Sequence, residues 1–581
     1  MNQNLGEGSL FTLGSRVAAA GIVRPYQRNS DDPFYRPLQI YALDPSISCL
    51  QGAVTVVKVP YEPLQPGPVG KLIKIVDQRE DGSPQELVDL DDPRVLIMNG
   101  RTPSPGDRLF RQQMVYAVVS LTYAAFQRAL GRQLIWGFTQ ETDENSSQLQ
   151  IRTEAAPVGK NAYYAKDTGE LVFGHYEADQ VNGRTPPKGM IYTCLSHDII
   201  AHETSHALLH GLRANFEYST NPDVAAFHEA FADLVAVFQH FSYRDVVLAA
   251  MQESRGEIRT AALLTDIARQ FGYTTRADGQ PLRTTIDVTG KGGIPVQYKE
   301  ASQEPHALGT VLTSAVFEAF ITVFERRIAP YVRLATGGSG QLPPGELPAD
   351  LLQILAKTAQ TLAEQFLIIC IRAIDYCPPV DIEFGEYLRA VITADHDLVQ
   401  DDPWGYREAW IDAFARRGIF PSNVPHLVED TLLWRKPGKT LPTLTDLCFG
   451  ELRFNGDPAQ PASPDELRRQ ACALGWVVAQ PEWTEEFGCT LRNDPRLGSD
   501  AVDPPCVESI RTSRRVGPDG EIRFDLVAEV IQRRWIGGKG GGEFYGGATV
   551  IIDPYGKVRY VIRKSVLAEE RVRRMGVLSN G

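Results

Sequence analysis

The sequence predicts an α+β fold, and three observations predict it. Short strand-like runs separated by turn residues fill the first part of the chain. Segments with helical periodicity dominate from residue 196 to about 420. From residue 437 onward, strand-like runs separated by Pro, Asp and Gly return. At 581 residues the chain exceeds one compact core, so several domains are expected. The expected division is a β-rich N-terminal region over 1–105, a central domain over 106–436 and an α/β accessory domain over 437–581.

In chain order, residues 1–105 are rich in Pro and Gly and carry strand-like runs at 38–43, 53–59 and 72–76. Pro105-Gly106-Asp107 opens an amphipathic helix over 107–130. Residues 133–195 alternate short strands with turns such as Lys166-Asp167-Thr168-Gly169. The helical stretch holds three helices carrying His202, Glu229 and His306, and two more over 349–376 and 383–395. A Gly-, Ser- and Pro-rich loop beginning at Gly337 separates two of them. Beyond a linker at Thr440-Leu441-Pro442-Thr443, a strand over 522–531 follows Pro518-Asp519-Gly520. Strands over 549–552 and 558–562 pair across Asp553-Pro554-Tyr555-Gly556. Residues 537–547 contain seven Gly but lack the residue order of a phosphate loop, so a hairpin loop is expected there.

The most informative motif is His202-Glu203-Thr204-Ser205-His206. Apolar and small residues flank it, with neither Pro nor Gly between the histidines, so it reads as helix. Residues four apart share a helix face, so two imidazoles can hold one zinc ion while Glu203 reaches a bound water. A catalytic zinc needs a third protein ligand and an open fourth position. After twenty-two intervening residues, the run Phe227-His228-Glu229-Ala230-Phe231-Ala232-Asp233 supplies a second helical pattern. Glu229 can ligate the ion, and Asp233, one turn on, can accept the spare N–H of a ligand histidine. The competing reading of both acids is solvated charge on an amphipathic helix. A metzincin pattern fails, because Leu209 and Leu212 stand where Gly and His are needed. His210 and His228 read as packing or capping residues.

Composition excludes several classes. Hydrophobic content of 43% and charged content of 23% are those of a soluble globular protein. A net charge of −13 opposes nonspecific binding to nucleic acid and to anionic membranes. The basic clusters at 511–515 and 563–574 read as solvated faces. No uninterrupted apolar run approaches a membrane span, and the N-terminal residues lack the pattern of a secretory signal. Eight scattered Cys without Cys-x-x-Cys spacing read as reduced thiols of a cytoplasmic protein. Export by a specialised secretion system would leave the same signature.

Taken together, these residues resemble the thermolysin-like metallopeptidases of the gluzincin group. Further segments carry the likeness: the helix around Val115-Tyr116-Ala117, Asn161-Ala162-Tyr163-Tyr164, Leu171-Val172-Phe173-Gly174, Leu282-Arg283-Thr284-Thr285 and Pro305-His306-Ala307-Leu308-Gly309. The match spans about residues 106–420 and is densest around the metal motif. The resemblance implies a two-lobed peptidase, with a β-rich lobe, a helical lobe and the zinc helix at their junction. It implies Zn2+ on His202, His206 and Glu229, Glu203 as general base, and Asp233 orienting His202. It implies that His306 donates to the oxyanion, that Arg283 holds a substrate carbonyl, and that Asn161 and Ala162 pair with the substrate backbone. Tyr218 is the candidate for the family's tyrosine.

The expected partner is therefore a polypeptide substrate, with no nucleic acid and no membrane, and a protein partner through the C-terminal region. The chain departs from the family where paired calcium ions are usually bound. Asp198 matches one ligand, but His240 replaces a glutamate, and imidazole suits calcium poorly, so the double-calcium site is expected to be absent. Two rival functions are an aminopeptidase of the other gluzincin branch, whose exopeptidase motif is missing here, and an inactive interaction scaffold. Retention of Glu203 beside a full ligand set argues against the scaffold.

Overall fold

The computed structural model describes residues 9–21, 26–47, 53–77, 83, 85–139, 147–155, 158–178, 185, 188–218, 220–275, 280–285, 295–458, 460–517, 519–537 and 542–578. The fold is mixed α+β, with several small sheets and one extensive helical region. Tyr35–Tyr41 and Val54–Pro60 form an antiparallel pair, shifted by a residue or a few from the runs expected at 38–43 and 53–59. Their buried face includes Leu38, Ile40, Val57 and Val59 and packs on the helix Arg108–Leu130. Asp107 caps that helix by accepting from the Leu109 N–H at 3.0 Å, and Gly131 ends it in the left-handed region.

A four-stranded sheet follows in the order Ile73–Ile75, Leu149–Arg152, Glu170–Phe173, Ala162–Ala165. The turn at 166–169 makes the last two an antiparallel hairpin. Ala162–Ala165 is an edge strand, with one side paired to Glu170–Phe173 and the other unpaired among the described residues. The helix His197–Leu212 packs beside it.

The helical region is built on His197–Leu212, Asp223–His240, Pro305–Ala335, Ala349–Ala373 and Phe384–Leu398. Phe238, Phe317, Phe320 and Phe366 interlock at their centre, with ring centroids 5.2–6.1 Å apart. Pro305 occupies the first helical turn and the Glu304 carboxylate accepts the N–H groups of His306 and Ala307, so the start of that helix is pinned at His306. Gly309 lets this helix lie directly on Asp223–His240. A Cβ there would come within 2.8 Å of the Ala226 carbonyl oxygen and 3.3 Å of Glu229 Cβ. The helix Pro305–Ala335 and the segment Ala349–Tyr376 are long and apolar enough to cross a membrane, and 83% of the most apolar stretch of the first is buried inside the protein. Charged residues interrupt both, which is why no continuous apolar run marks them in the sequence.

Beyond residue 437, a six-stranded sheet contains Cys506–Val516, Ile522–Ile536, Gly542–Ile552 and Val558–Lys564 in antiparallel order. Ile522–Ile536 runs five residues past its expected end. Residues 538–541 of the glycine-rich stretch, and Pro518 of the expected turn, lie outside the described residues. The strand Thr12–Leu13 joins this sheet in parallel, with Thr12 opposite Cys506 and Leu13 opposite Val507. The first segment thus packs with the C-terminal core instead of with the rest of 1–105. Phe11 and Val17 are buried there: Val17 lies in the core shared with Leu467 and Leu474, and Phe11 meets Trp476 at 5.9 Å.

Buried ion pairs join this sheet to the helical region. Glu529 pairs with both Arg213 and Arg511, and Arg571 reaches Asp381 at 2.7 Å. Outside the sheet itself, Arg132, just past the helix Arg108–Leu130, grips Asp375 with two hydrogen bonds of 2.7 Å.

Candidate metal centre and cleft

The helix His197–Leu212 has no Pro and no Gly before Gly211, and its apolar residues Ile200, Ala201, Leu208 and Leu209 are buried. That packing turns His202 and His206, one turn apart, toward Asp223–His240. Asn221 accepts from the Asp223 N–H at 2.8 Å and starts the second helix, while Asp381 accepts from the Thr220 N–H and the Asn221 amide, both at 2.8 Å. Glu229 and Asp233 consequently share one face directed at the histidines.

His202 Nε2 lies 3.0 Å from His206 Nε2 and 3.3 Å from Glu229 Oε2, and His206 Nε2 lies 3.7 Å from Glu229 Oε1. Donor atoms ~2.0–2.1 Å from a common tetrahedral centre sit ~3.3 Å from each other. The three side chains therefore match a zinc cage in donor type and spacing. Glu229 Oε2 also lies 2.8 Å from His306 Nδ1, yet it is buried and makes no aligned hydrogen bond. Arg283 Nη1, which can only donate, lies 2.9 Å from the same Nδ1. Where Arg283 donates to Nδ1, the His306 proton sits on Nε2.

Asp233 is 4% exposed; its Oδ1 accepts from His202 Nδ1 at 2.9 Å and forms an ion pair with Arg283 Nη2 at 2.9 Å. This fixes Nδ1 as a protonated nitrogen and orients Nε2 toward Glu229. Burial opposes charge on His202, but Asp233 and Glu229 outweigh it and lift the imidazole to about 9. Burial and the neighbouring His202 hold His206 well below its ordinary value. Burial works against ionisation of Glu229, yet His202 and His306 hold its carboxyl well below the usual range. Burial pushes the Glu203 carboxyl up to about 7, with Glu229 adding to the rise and His202 opposing it.

His202, Glu203, His206 and Glu229 line a cleft of about 790 Å³. Glu203, Arg283 and His306 are on its wall, as are Asn161 and Ala162 at the edge strand. The Asn161 carbonyl accepts from the Gly174 N–H at 2.9 Å, so that oxygen is engaged within the sheet. Arg283 is anchored by Asp233, with its Nε buried and without a hydrogen bond.

Tyr218, the candidate for the family's tyrosine, is not brought to this cluster. Its ring stacks on Tyr545 of the C-terminal sheet, centroids 4.1 Å apart, and it is not among the residues of the cleft wall. The stacking partner lies more than three hundred residues away, so nothing local marked the tyrosine's direction. His228, read from sequence as structural, does line the cleft, with its ring stacked 6.0 Å from that of His206. Its position directly before Glu229 was the available signal. His210 also lines the cleft and shares a 2.8 Å hydrogen bond with Tyr164 Oη. No family model matches the chain, and no curated protein matches it.

Proposed function

We propose that the protein is a zinc-dependent endopeptidase with a thermolysin-like, two-lobed architecture. The observation that supports this reading most is the 3.0–3.7 Å convergence of His202, His206 and Glu229 beside a buried Glu203 in an open cleft. The small sheet would be the β-rich lobe, and the helices from residue 197 onward the helical lobe.

Zinc held by His202, His206 and Glu229 would supply Lewis acidity, polarising the scissile carbonyl and acidifying a water. Glu203, on the same helix, would take one proton from that water at its carboxylate. The water oxygen would bond to the carbonyl carbon, and the same proton would pass from Glu203 to the leaving nitrogen as the C–N bond breaks. A carboxyl poised at about 7 suits both accepting and returning a proton, and a bound cation would favour its ionised form. His306, with its proton on Nε2, would donate to the developing oxyanion. Arg283, held rigid by Asp233, would donate to a substrate carbonyl. The unpaired edge of Ala162–Ala165 would receive an extended peptide as an added strand.

Glu203→Gln tests the reading. The variant should bind zinc as the parent does and lose cleavage of N-terminally blocked peptides. Equal cleavage by Glu203→Gln would refute the mechanism. Cleavage restricted to free N-termini would indicate an aminopeptidase. Zinc binding without turnover on a peptide library would indicate a scaffold.

A further inference from the structure

A second cluster of metal-ligand side chains lies on the same two helices. His197 and Asp198 occupy the first turn of His197–Leu212, and His240 is the last residue of Asp223–His240. The three are 1%, 4% and 3% exposed. Each contributes one donor atom, and these lie within 4.8 Å of one another. Asp198 Oδ1 is 2.5 Å from His240 Nε2 and 3.8 Å from His197 Nδ1. Its other oxygen accepts from the Ala268 N–H at 2.8 Å, which fixes the carboxylate plane.

Hydrogen bonding does not account for this arrangement. Asp198 Oδ1 and His197 Nδ1 are both buried without a hydrogen-bond partner. The short contact to His240 is therefore close without being aligned, and 3.8 Å is too long for a hydrogen bond. His197 Nε2 is taken by Tyr243 Oη at 2.7 Å, so Nδ1 is the nitrogen left facing Asp198. A ring nitrogen tied to a fixed partner leaves the other available to an ion, as in a ligating histidine. Asp44 adds a second buried carboxylate whose charge acts on both Asp198 and His240.

We propose that His197, Asp198 and His240 bind a second, structural divalent ion of the zinc class. Two imidazoles and a carboxylate suit zinc or a similar borderline ion. Calcium, which takes six to eight oxygens, is disfavoured. The ion would clamp the start of one helix to the end of the other, beyond the centre formed by His202, His206 and Glu229. This inference does not rest on the peptidase reading.

The test is metal content of the full chain after dialysis against trace zinc, by elemental mass spectrometry. The parent should hold two ions, the double variant His202→Ala/His206→Ala one, and His240→Ala one. A parent with one ion and a double variant with none would overturn the proposal and leave the peptidase reading intact. A parent with one ion, retained by the double variant and lost in His240→Ala, would support the second site and sink the first. If His240→Ala fails to fold, X-ray absorption on the zinc-loaded double variant decides. Nitrogen and oxygen ligands at ~2.0–2.2 Å support the site, and absence of bound zinc leaves only a His–Asp ion pair and overturns it.

Discussion

Asp233→Asn removes one negative charge from the centre of the candidate metal site while keeping the side chain's shape. In the parent, one carboxylate oxygen receives both His202 Nδ1 and Arg283 Nη2 at 2.9 Å. A neutral carboxamide oxygen can still accept from His202, but it no longer balances Arg283. Two effects then act in one direction. The His202 ring becomes a weaker donor to an ion, and an uncompensated guanidinium stands beside the cation. Loss of such a supporting carboxylate costs about 10- to 100-fold in metal affinity, or about 1.4–2.7 kcal/mol. The assay is competition for zinc against a chromophoric chelator at neutral pH. The metal-free protein provides the control. His202 is raised to about 9 from an ordinary 6.5, so its charged form stabilises the fold fully below pH 6.5. That contribution, about 3 kcal/mol at most, is lost as pH rises through 9. Asp233→Asn should flatten this dependence in chemical denaturation. Zinc affinity within about twofold of the parent, with an unchanged pH dependence, would refute the assignment of Asp233 as the group that orients His202.

On the proposed mechanism, Tyr218→Phe should leave peptide cleavage largely intact, because the Tyr218 ring stacks on Tyr545 and does not line the cleft. A 10²–10³-fold loss in kcat, as expected for an oxyanion donor, would show that the hydroxyl takes part. Asp375→Asn should destabilise the fold by about 3–5 kcal/mol in urea titration, because it leaves Arg132 buried without its partner. Burial opposes ionisation of Asp375, but Arg132 outweighs it and holds the carboxyl at about 2 against an ordinary 3.8. Its stabilisation is therefore present above pH 3.8 and lost as pH falls through 2, and the variant should lack that acid limb. Gly309→Val should separate the His306 helix from the Glu229 helix and cost about 1–3 kcal/mol, read as a lowered Tm.

The parts of this molecule that are local in sequence were legible from it. His202, His206, Glu229 and Asp233 obey helical spacing, and the structure places all four donor groups on facing helix surfaces. The cap at Glu304-Pro305 announces where the His306 helix starts. Hairpins were legible wherever a short turn joins two strands, as at 166–169 and 553–556. What depends on distant partners was not. Tyr218 turns toward Tyr545, and Thr12–Leu13 pairs across the length of the chain. His228 reads as a residue on another side of its helix until the neighbouring helix brings His206 alongside. Asp198 and His240 were legible together as positions of one cation site, yet His197 joins their cluster only because helix start and helix end meet in space.

The parallel pairing of Thr12–Leu13 with Cys506–Val516 has a consequence for how the molecule assembles. The strand Thr12–Leu13 finds its neighbour only after the whole stretch between Leu13 and Cys506 has been made. Until then the apolar side chains of Phe11 and Val17 have no Trp476 or Leu474 to meet. Completion of the C-terminal sheet is thus a late, high-contact-order event, and it is slow for the same reason that long loops close slowly. Growth of the nascent chain and closure of that sheet are separate stages, with the helices His197–Leu212 and Asp223–His240 free to fold between them.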